Sequence, residues 1–163
     1  VVLSIFKING FKISSPLSQS KSFNFIKGEI TKIKNIATSK DINKGISVLN
    51  TLSKYDNAQS IVIVDGYILA IEAVEGTDKM LERVFYIRKK KKNLAKKCGM
   101  LVKLPKRGQS KLIDLPVIGP KTINLIVKAN LECLVIDHRF TLIENKYKII
   151  ELAKKNKIGI YSI

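Results

Sequence analysis

The sequence has no tryptophan, two cysteines, one histidine and four prolines in its 163 residues. Cys98 and Cys133 lie far apart without a CxxC spacing, which argues against both a zinc site and a disulfide framework. Reduced, structural thiols are typical of a cytoplasmic protein. The lone His138 is predicted to lie in a surface turn, because no GxSxG motif supplies a nucleophile for it to activate. The phosphate-binding loops GxGxxG and GxxxxGK(S/T) are also missing.

Long apolar runs and acidic residues are scarce as well. No stretch approaches the ~18 consecutive apolar residues of a membrane span. The chain has 30 Lys and Arg against 13 Asp and Glu, a formal net charge of +17, which predicts an anionic partner such as a phosphate ester, an acidic membrane surface or a nucleic acid. Nucleic acid is not expected, because aromatic residues make up only 7% of the chain and none interleave with a basic run. The basic run at residues 88–92 either ends a solvated helix or attracts a membrane surface.

The apolar pattern predicts an α/β fold, with a mixed sheet, a β-hairpin and helices packed on the sheet, in a single layered domain over residues 1–163. The strongest local signal is Asp65-Gly66, which separates alternating apolar runs at residues 60–64 and 67–73 and predicts the hairpin. Further strands are predicted at residues 11–14, 100–104, 133–136, 140–143 and 158–161, and helices at residues 41–53 (capped by Ser39 or Asp41), from about residue 77, at 120–130 and after Asn145.

The bend after the hairpin carries three carboxylates, those of Glu72, Glu75 and Asp78. Like charges this close repel one another unless a cation or basic side chains neutralise them. Oxygen ligands suit Mg²⁺ (or Mn²⁺), so the three acids are predicted to be metal ligands. Gly76 and Thr77 open the following helix, where backbone N–H groups would bind a substrate phosphate. The alternative is a solvated turn in which Thr77 and Asp78 only cap the helix.

A second group of polar residues follows the strand predicted at residues 100–104. Lys103, Lys106 and Gln109 are predicted to bind substrate phosphate oxygens through charge-assisted and amide hydrogen bonds. Asp114 is predicted to be catalytic, as an acid that positions water or a metal ion. The alternative assigns the lysines to a basic surface and Asp114 to a turn.

Three segments carry a family resemblance in this order: IEAVEGTD at residues 71–78, LVKxPKxGQ at 101–109 and DLPxIG at 114–119. Together they resemble the C-terminal domain of the UDP-2,3-diacylglucosamine pyrophosphatases of lipid A synthesis, in the form typical of alphaproteobacteria. The resemblance runs from about residue 10 to the end. It implies hydrolysis of UDP-2,3-diacylglucosamine to 2,3-diacylglucosamine 1-phosphate (lipid X) and UMP, with Mg²⁺ in particular.

The same resemblance implies site residues and partners. Asp114 corresponds to the family's essential acid, and Glu72, Glu75 and Asp78 belong to its acidic motif. The family has an N-terminal domain of its own, which is expected to be missing from this chain, and its substrate is expected between the two domains. The inner-membrane surface and a homodimer are further possible partners.

A different class of function is a non-catalytic basic binding module for nucleic acid or another anionic ligand. That hypothesis requires a continuous positive face without acids. The enzyme hypothesis requires Glu72, Glu75 or Asp78 to approach Asp114 or the segment at residues 103–109.

Overall fold

The structure is a computed structural model that describes residues 2–19, 23–33, 38–91, 96–106 and 114–163. Its helices are α1 Val2–Ile8, α2 Pro16–Gln19, α3 Ser39–Leu52, α4 Gly76–Lys90, α5 Pro120–Lys128 and α6 Lys146–Lys155. Its strands are β1 Gly28–Glu29, β2 Ser60–Val64, β3 Tyr67–Ile71, β4 Met100–Lys103, β5 Val117–Ile118, β6 Cys133–Ile136, β7 Leu142–Ile143 and β8 Gly159–Ser162.

The main sheet has six strands in the order β1-β8-β6-β4-β2-β3. Strands β4, β6 and β8 are parallel, whereas β2 runs antiparallel to both β4 and β3. Strands β5 and β7 form a separate parallel pair. The predicted hairpin is confirmed, and its two-residue turn has φ of +48° at Asp65 and +78° at Gly66, the left-handed pair that matches the twist of the flanking strands. The predicted fold class, a mixed α/β sheet with helices packed on it in one domain, is confirmed.

Helices cover both faces of the sheet. Helix α3 packs on one face, against a cluster that includes Ile61, Val102 and Val135. Helices α4, α5 and α6 pack on the other face, against a larger cluster that includes Val62 and Leu101. Alternate strand residues therefore serve opposite helical layers, because successive side chains of a strand point to opposite faces.

The strand register places four residues in one row, namely Ser60 on β2, Lys103 on β4, Ile136 on β6 and Ser162 on β8. Each of these residues lies two positions along its strand from a core residue that packs against α4, α5 and α6. Because every second residue of a strand points to the same face, the row lies on the face that these three helices cover. The row lies where the parallel strands β4, β6 and β8 end. We call this the carboxyl edge of the sheet, and helices α4, α5 and α6 all begin there because each connects two strands that run in the same direction. In open α/β sheets this edge is where ligands bind.

Two local predictions are wrong. Residues 11–14 form no strand. Helix α3 is capped by Thr38, whose hydroxyl accepts a hydrogen bond from the N–H of Asp41 at 3.1 Å, and not by Ser39 or Asp41. The helix begins earlier than the apolar pattern suggests, because its first turn carries polar residues only.

The prediction that Arg88 belongs to an exposed basic run is also wrong. Its side chain is 2% exposed, and its guanidinium donates hydrogen bonds to the carbonyl oxygens of Cys98, at 3.0 Å, and of Lys96. Arg88 thus anchors the chain that enters β4, while Lys89, Lys90 and Lys91 remain exposed. Of the helices that the structure describes, none has the length and apolar content to cross a bilayer.

We expect Arg88→Met to lower the free energy of unfolding by about 2–4 kcal/mol, because the variant removes the buried guanidinium that donates to the carbonyl groups of Cys98 and Lys96. Lys90→Met is the matched control, since it removes an exposed cation from the same helix, and we expect it to change stability by less than ~0.5 kcal/mol. Urea unfolding followed by circular dichroism measures both. Equal effects of the two substitutions would contradict the anchoring role of Arg88.

Candidate functional site

A buried hydrogen-bond network stands at the carboxyl edge. Glu72 follows β3 directly, and its Oε2 accepts hydrogen bonds from the hydroxyl groups of Ser60 and of Thr77, the latter at 3.0 Å. The ammonium of Lys103 donates to the Thr77 hydroxyl at 2.7 Å. All four side chains are buried, and we refer to them as the Lys103 network (Ser60, Glu72, Thr77 and Lys103). The network joins the predicted acidic bend to the predicted cationic segment.

Lys103 is the cation at the centre of this network, and it is only 8% exposed. Burial lowers the pKa of its ammonium, and the carboxylates of Glu72 and Asp78 partly oppose that shift. An ammonium has three N–H donors, and among the described residues Thr77 is its one acceptor. Two donors on a buried cation therefore remain to be satisfied, which is costly unless water or a ligand accepts them.

Asp78 lies in the first turn of α4 and forms an ion pair with Lys121 in the first turn of α5, with 2.7 Å between Oδ2 and Nζ. This pair holds the beginnings of the two helices together. Neither helix has a side-chain cap, at Glu75 for α4 or at Gly119 for α5. The Gly76 N–H donates to the carbonyl of Ala73, and Pro120 has no N–H. The N–H groups that no side chain caps are therefore those of Thr77 and Asp78 in α4 and of Lys121 in α5, at the positive ends of two helix dipoles.

Glu75 turns away from this region. Its carboxylate forms an ion pair with Arg83 at 2.7 Å and accepts a hydrogen bond from the N–H of Ala73 at 3.1 Å. The hydrogen bond from Arg83 holds the pKa of Glu75 below its usual range. Glu75 therefore stabilises the bend itself.

The three predicted metal ligands consequently have three separate sets of partners: the Lys103 network for Glu72, Arg83 for Glu75 and Lys121 for Asp78. Within the described ranges, no group of three His, Cys, Asp or Glu residues could hold a metal ion. These residues do not fit a preassembled three-carboxylate metal centre. The dependence on Mg²⁺ (or Mn²⁺) stays a prediction.

Gly76 begins α4 with a φ of +77°, and no atom lies within 4 Å of the place where a Cβ would stand. The backbone conformation thus explains the glycine, since other residues adopt it at a cost. Its N–H donates to the carbonyl of Ala73 at 3.2 Å. Gly76 turns the chain so that Thr77 enters the Lys103 network. Its predicted contact with substrate stays a prediction.

The remaining predicted site residues differ in position. Lys106 reaches the loop between α3 and β2, where its Nζ donates to the carbonyl of Asp56 at 3.0 Å. Asp114 is exposed, and it has no hydrogen bond or ion pair with any other residue that the structure describes. Gln109 lies outside the described residues. The assigned roles of these three residues stay predictions.

Sequence reasoning missed two buried hydroxyl groups. Ser60 donates to Glu72, and Ser162 occupies the same row of the sheet with its Oγ buried and without a partner in the described part of the chain. A serine at the end of an otherwise apolar strand was the available signal. The strand register, which places both serines in the same row as Lys103, could not be predicted from the neighbouring sequence.

The predicted turn at His138 also follows the carboxyl edge, just after β6. His138 is partly buried, and its N–H donates to the carbonyl of Ile163 at 3.3 Å. The guanidinium of Arg139 donates two hydrogen bonds to the carboxylate of Asp137, at 3.0 and 2.7 Å. This turn therefore ties β6 to the C-terminal residue of the chain.

The fold and the polar groups at its carboxyl edge define an α/β domain with a buried, charged hydrogen-bond network at that edge. Residues 27–161 match the family model described as the LpxI C-terminal domain. The chain is 31% identical over 162 residues to the UDP-2,3-diacylglucosamine pyrophosphatase LpxI of Caulobacter vibrioides, an alignment that covers 98% of this chain and 57% of that relative. The chain belongs to the LpxI C-terminal domain family. It spans somewhat more than half the length of the relative.

Proposed function

We propose that the protein hydrolyses the pyrophosphate bond of UDP-2,3-diacylglucosamine and releases 2,3-diacylglucosamine 1-phosphate (lipid X) and UMP in lipid A biosynthesis. Family membership and the activity for which the Caulobacter relative is named support this class of reaction. The observation that carries the proposal is the buried ammonium of Lys103, which donates to Thr77 in the first turn of α4 and has no second acceptor among the described residues. A diphosphate supplies the acceptors that this arrangement lacks.

In the proposed reaction, water attacks one phosphorus, and the oxygen that bridges the two phosphorus atoms leaves with the other. Lys103 donates to non-bridging oxygens and stabilises the negative charge that grows on them, an effect that is strongest in a buried site. Thr77 and Glu72 hold the ammonium in place, so its position costs little reorganisation during the reaction. The helix starts of α4 and α5 add oriented N–H donors.

Asp114 is proposed to orient the attacking water. Its carboxylate is exposed and is not engaged by another described residue, so it is available to accept a proton from water. Lys106 and Gln109 are proposed as further phosphate donors from the segment that follows β4.

The proposed Mg²⁺ (or Mn²⁺) would neutralise phosphate charge when bound, and Mg²⁺ is commonly held by one or two carboxylates together with substrate phosphates. Because the carboxylates described here have separate partners, the steps above are assigned to residues of this chain, and the ion is assigned only the neutralisation of phosphate charge.

The enzyme hypothesis is favoured over a non-catalytic binding module by one contact. The module requires a positive face without acids. In the structure the Thr77 hydroxyl accepts a hydrogen bond from Lys103 and donates one to Glu72, so an acid lies beside the buried cation. Peripheral binding to an acidic membrane surface through the exposed Lys89, Lys90 and Lys91 is a separate proposal, which cosedimentation with vesicles of increasing anionic lipid content addresses. A homodimer stays a prediction.

Product analysis tests the proposed function. We expect the full-length protein with excess Mg²⁺ to form UMP and 2,3-diacylglucosamine 1-phosphate in equal amounts, to stop when EDTA removes the ion and to recover when Mg²⁺ is restored. Mass spectrometry of both products is the measurement. Binding of the substrate without any cleavage, whichever divalent ion is added, would refute the enzyme hypothesis and support a binding module.

A further inference from the structure

An apolar cavity of about 600 Å³ lies beside the second, two-stranded sheet. Its walls come from β5, β7, the first turns of α6 and the N-terminal segment, and they include Val117, Leu142, Ile143, Tyr147, Ile150 and Phe23. It opens to solvent between side chains that remain exposed, such as Val117 at 48% and Tyr147 at 89%. Exposed apolar surface that surrounds a concave site is typical of a place where an apolar ligand binds.

A series of contacts leads from the cavity, which is lined by the first residues of α6, to the carboxyl edge that holds the Lys103 network. Glu144, which lines the cavity, donates its N–H to the carbonyl of Ile118 at 2.9 Å. Its carboxylate lies against Gly119, the residue at the start of α5. Two residues further on, Lys121 forms the ion pair with Asp78. The carboxylate of Asp78 in turn attracts the ammonium of Lys103 and partly opposes the lowering of its pKa by burial. An apolar site and a cationic site linked in this way suit a ligand that has an apolar end and a phosphate end.

The size of the cavity limits what it can hold. A methylene group occupies roughly the volume of a water molecule, ~30 Å³, so a cavity of about 600 Å³ holds roughly 20 such groups. That is enough for one long acyl chain. Two of the polar side chains in its lining are engaged, since the Asn145 side chain caps α6 and the Lys146 ammonium donates to the carbonyl of Asn24 at 2.9 Å. The exposed carboxylate of Glu144 lies beside Gly119. The walls offer dispersion contacts and burial from water, which suit a hydrocarbon chain.

We propose that this cavity binds one of the two fatty acyl chains of the diacylated sugar substrate while the diphosphate lies at the Lys103 network. The proposal rests on the proposed function for its substrate class. The second chain lies outside the cavity. Chain length consequently determines affinity, because burial of each methylene group strengthens binding roughly fourfold.

Two substitutions of one residue test the cavity. Val117→Trp fills the cavity, and Val117→Asp places a charge at its mouth. Because the Val117 side chain is half-exposed, neither substitution disturbs the packing of the core. Ile68→Trp is the matched control, because Ile68 is a β-branched strand residue of similar exposure, 39%, on β3 and outside the cavity. Urea unfolding confirms that each full-length variant is folded.

The binding measurement uses a fluorescent 14-carbon acyl probe and an 8-carbon analogue, with no hydrolysis involved. We expect each Val117 variant to weaken binding of the long probe at least tenfold, and Ile68→Trp to weaken it less than twofold. Equal affinity of the Val117 variants and the parent protein for the long probe would overturn the proposal.

The hydrolysis measurement separates this inference from the proposed function. We expect both Val117 variants to raise KM at least tenfold for substrate with 14-carbon chains, with kcat nearly unchanged and little effect on substrate with 8-carbon chains. If the protein hydrolyses no substrate but still binds the long probe in a way that depends on Val117, the cavity remains a fatty-acid site and the proposed function is refuted. If the protein hydrolyses the substrate but the Val117 variants affect substrates with 14-carbon and 8-carbon chains equally, only the proposed acyl-chain site is refuted.

Discussion

Lys103→Met lowers kcat/KM for UDP-2,3-diacylglucosamine by about 10²–10³-fold, the expected loss when one buried donor to a developing negative charge is removed. Methionine retains a long apolar side chain, so the packing around the buried stem persists while the charge disappears. The Thr77 hydroxyl, which accepts from Lys103 at 2.7 Å, keeps its own bond to Glu72. Steady-state kinetics of the full-length protein measure the effect.

Lys154→Met is the matched control for this experiment, because it removes an exposed lysine of α6 and should leave kcat/KM within about twofold, as expected for a surface substitution. Lys103→Arg keeps the charge but not the compact ammonium, and it should restore only part of the activity. Circular dichroism establishes whether each variant is folded. A folded Lys103→Met variant with the kinetics of the control would exclude Lys103 from the site.

The pH dependence offers an independent signature of the same residue. Burial lowers the pKa of Lys103, so the free enzyme should lose this cation at a lower pH than an exposed lysine, whose pKa is about 10.4. We therefore expect kcat/KM to fall on an alkaline limb below that value, and Lys103→Arg to move the limb upward. The same shift affects stability with a defined sign. Between the folded and unfolded pKa values the unfolded chain binds more protons, so the contribution of Lys103 to the free energy of unfolding rises with pH.

Asp114→Asn is expected to reduce kcat by roughly 10³-fold, within the range for loss of a positioned acid or base. The side chain is exposed and unengaged within the described ranges, so its loss should change the free energy of unfolding by less than ~0.5 kcal/mol. A large kinetic effect with little change in stability indicates a chemical role.

Asp65→Asn is the isosteric control for Asp114. Asp65 is exposed in the hairpin turn, and asparagine adopts its left-handed conformation readily in this turn type. We expect full activity from this variant, measured under the same conditions. Intact hydrolysis by Asp114→Asn would show that another group activates the water.

Local sequence patterns predicted the parts of the site that lie close together in the chain. The Asp-Gly turn fixed the hairpin, and the hairpin in turn brought Glu72 to the carboxyl edge beside Thr77. The apolar run at residues 100–104 predicted the strand that carries Lys103. These inferences succeeded because turn chemistry and side-chain alternation are short-range effects.

Long-range pairing determined the rest. Ser60 meets Lys103 because β2 and β4 are antiparallel neighbours, a register that no local pattern encodes. Arg88 is buried because the chain that enters β4 presents carbonyl oxygens to it, whereas its sequence neighbours indicate only a charged helix end. The separation of Glu75 from Glu72 follows from its ion pair with Arg83 on the next turns of α4.

The antiparallel hairpin places residues 65–66 at the opposite edge of the sheet from the Lys103 network, since β2 begins at the carboxyl edge and runs away from it. The turn is exposed at Asp65, and inserted residues at an exposed loop tip are well tolerated. A fluorophore or an affinity handle attached there would report on the protein, or immobilise it, while leaving the mouth of the catalytic region open to a bulky amphiphile.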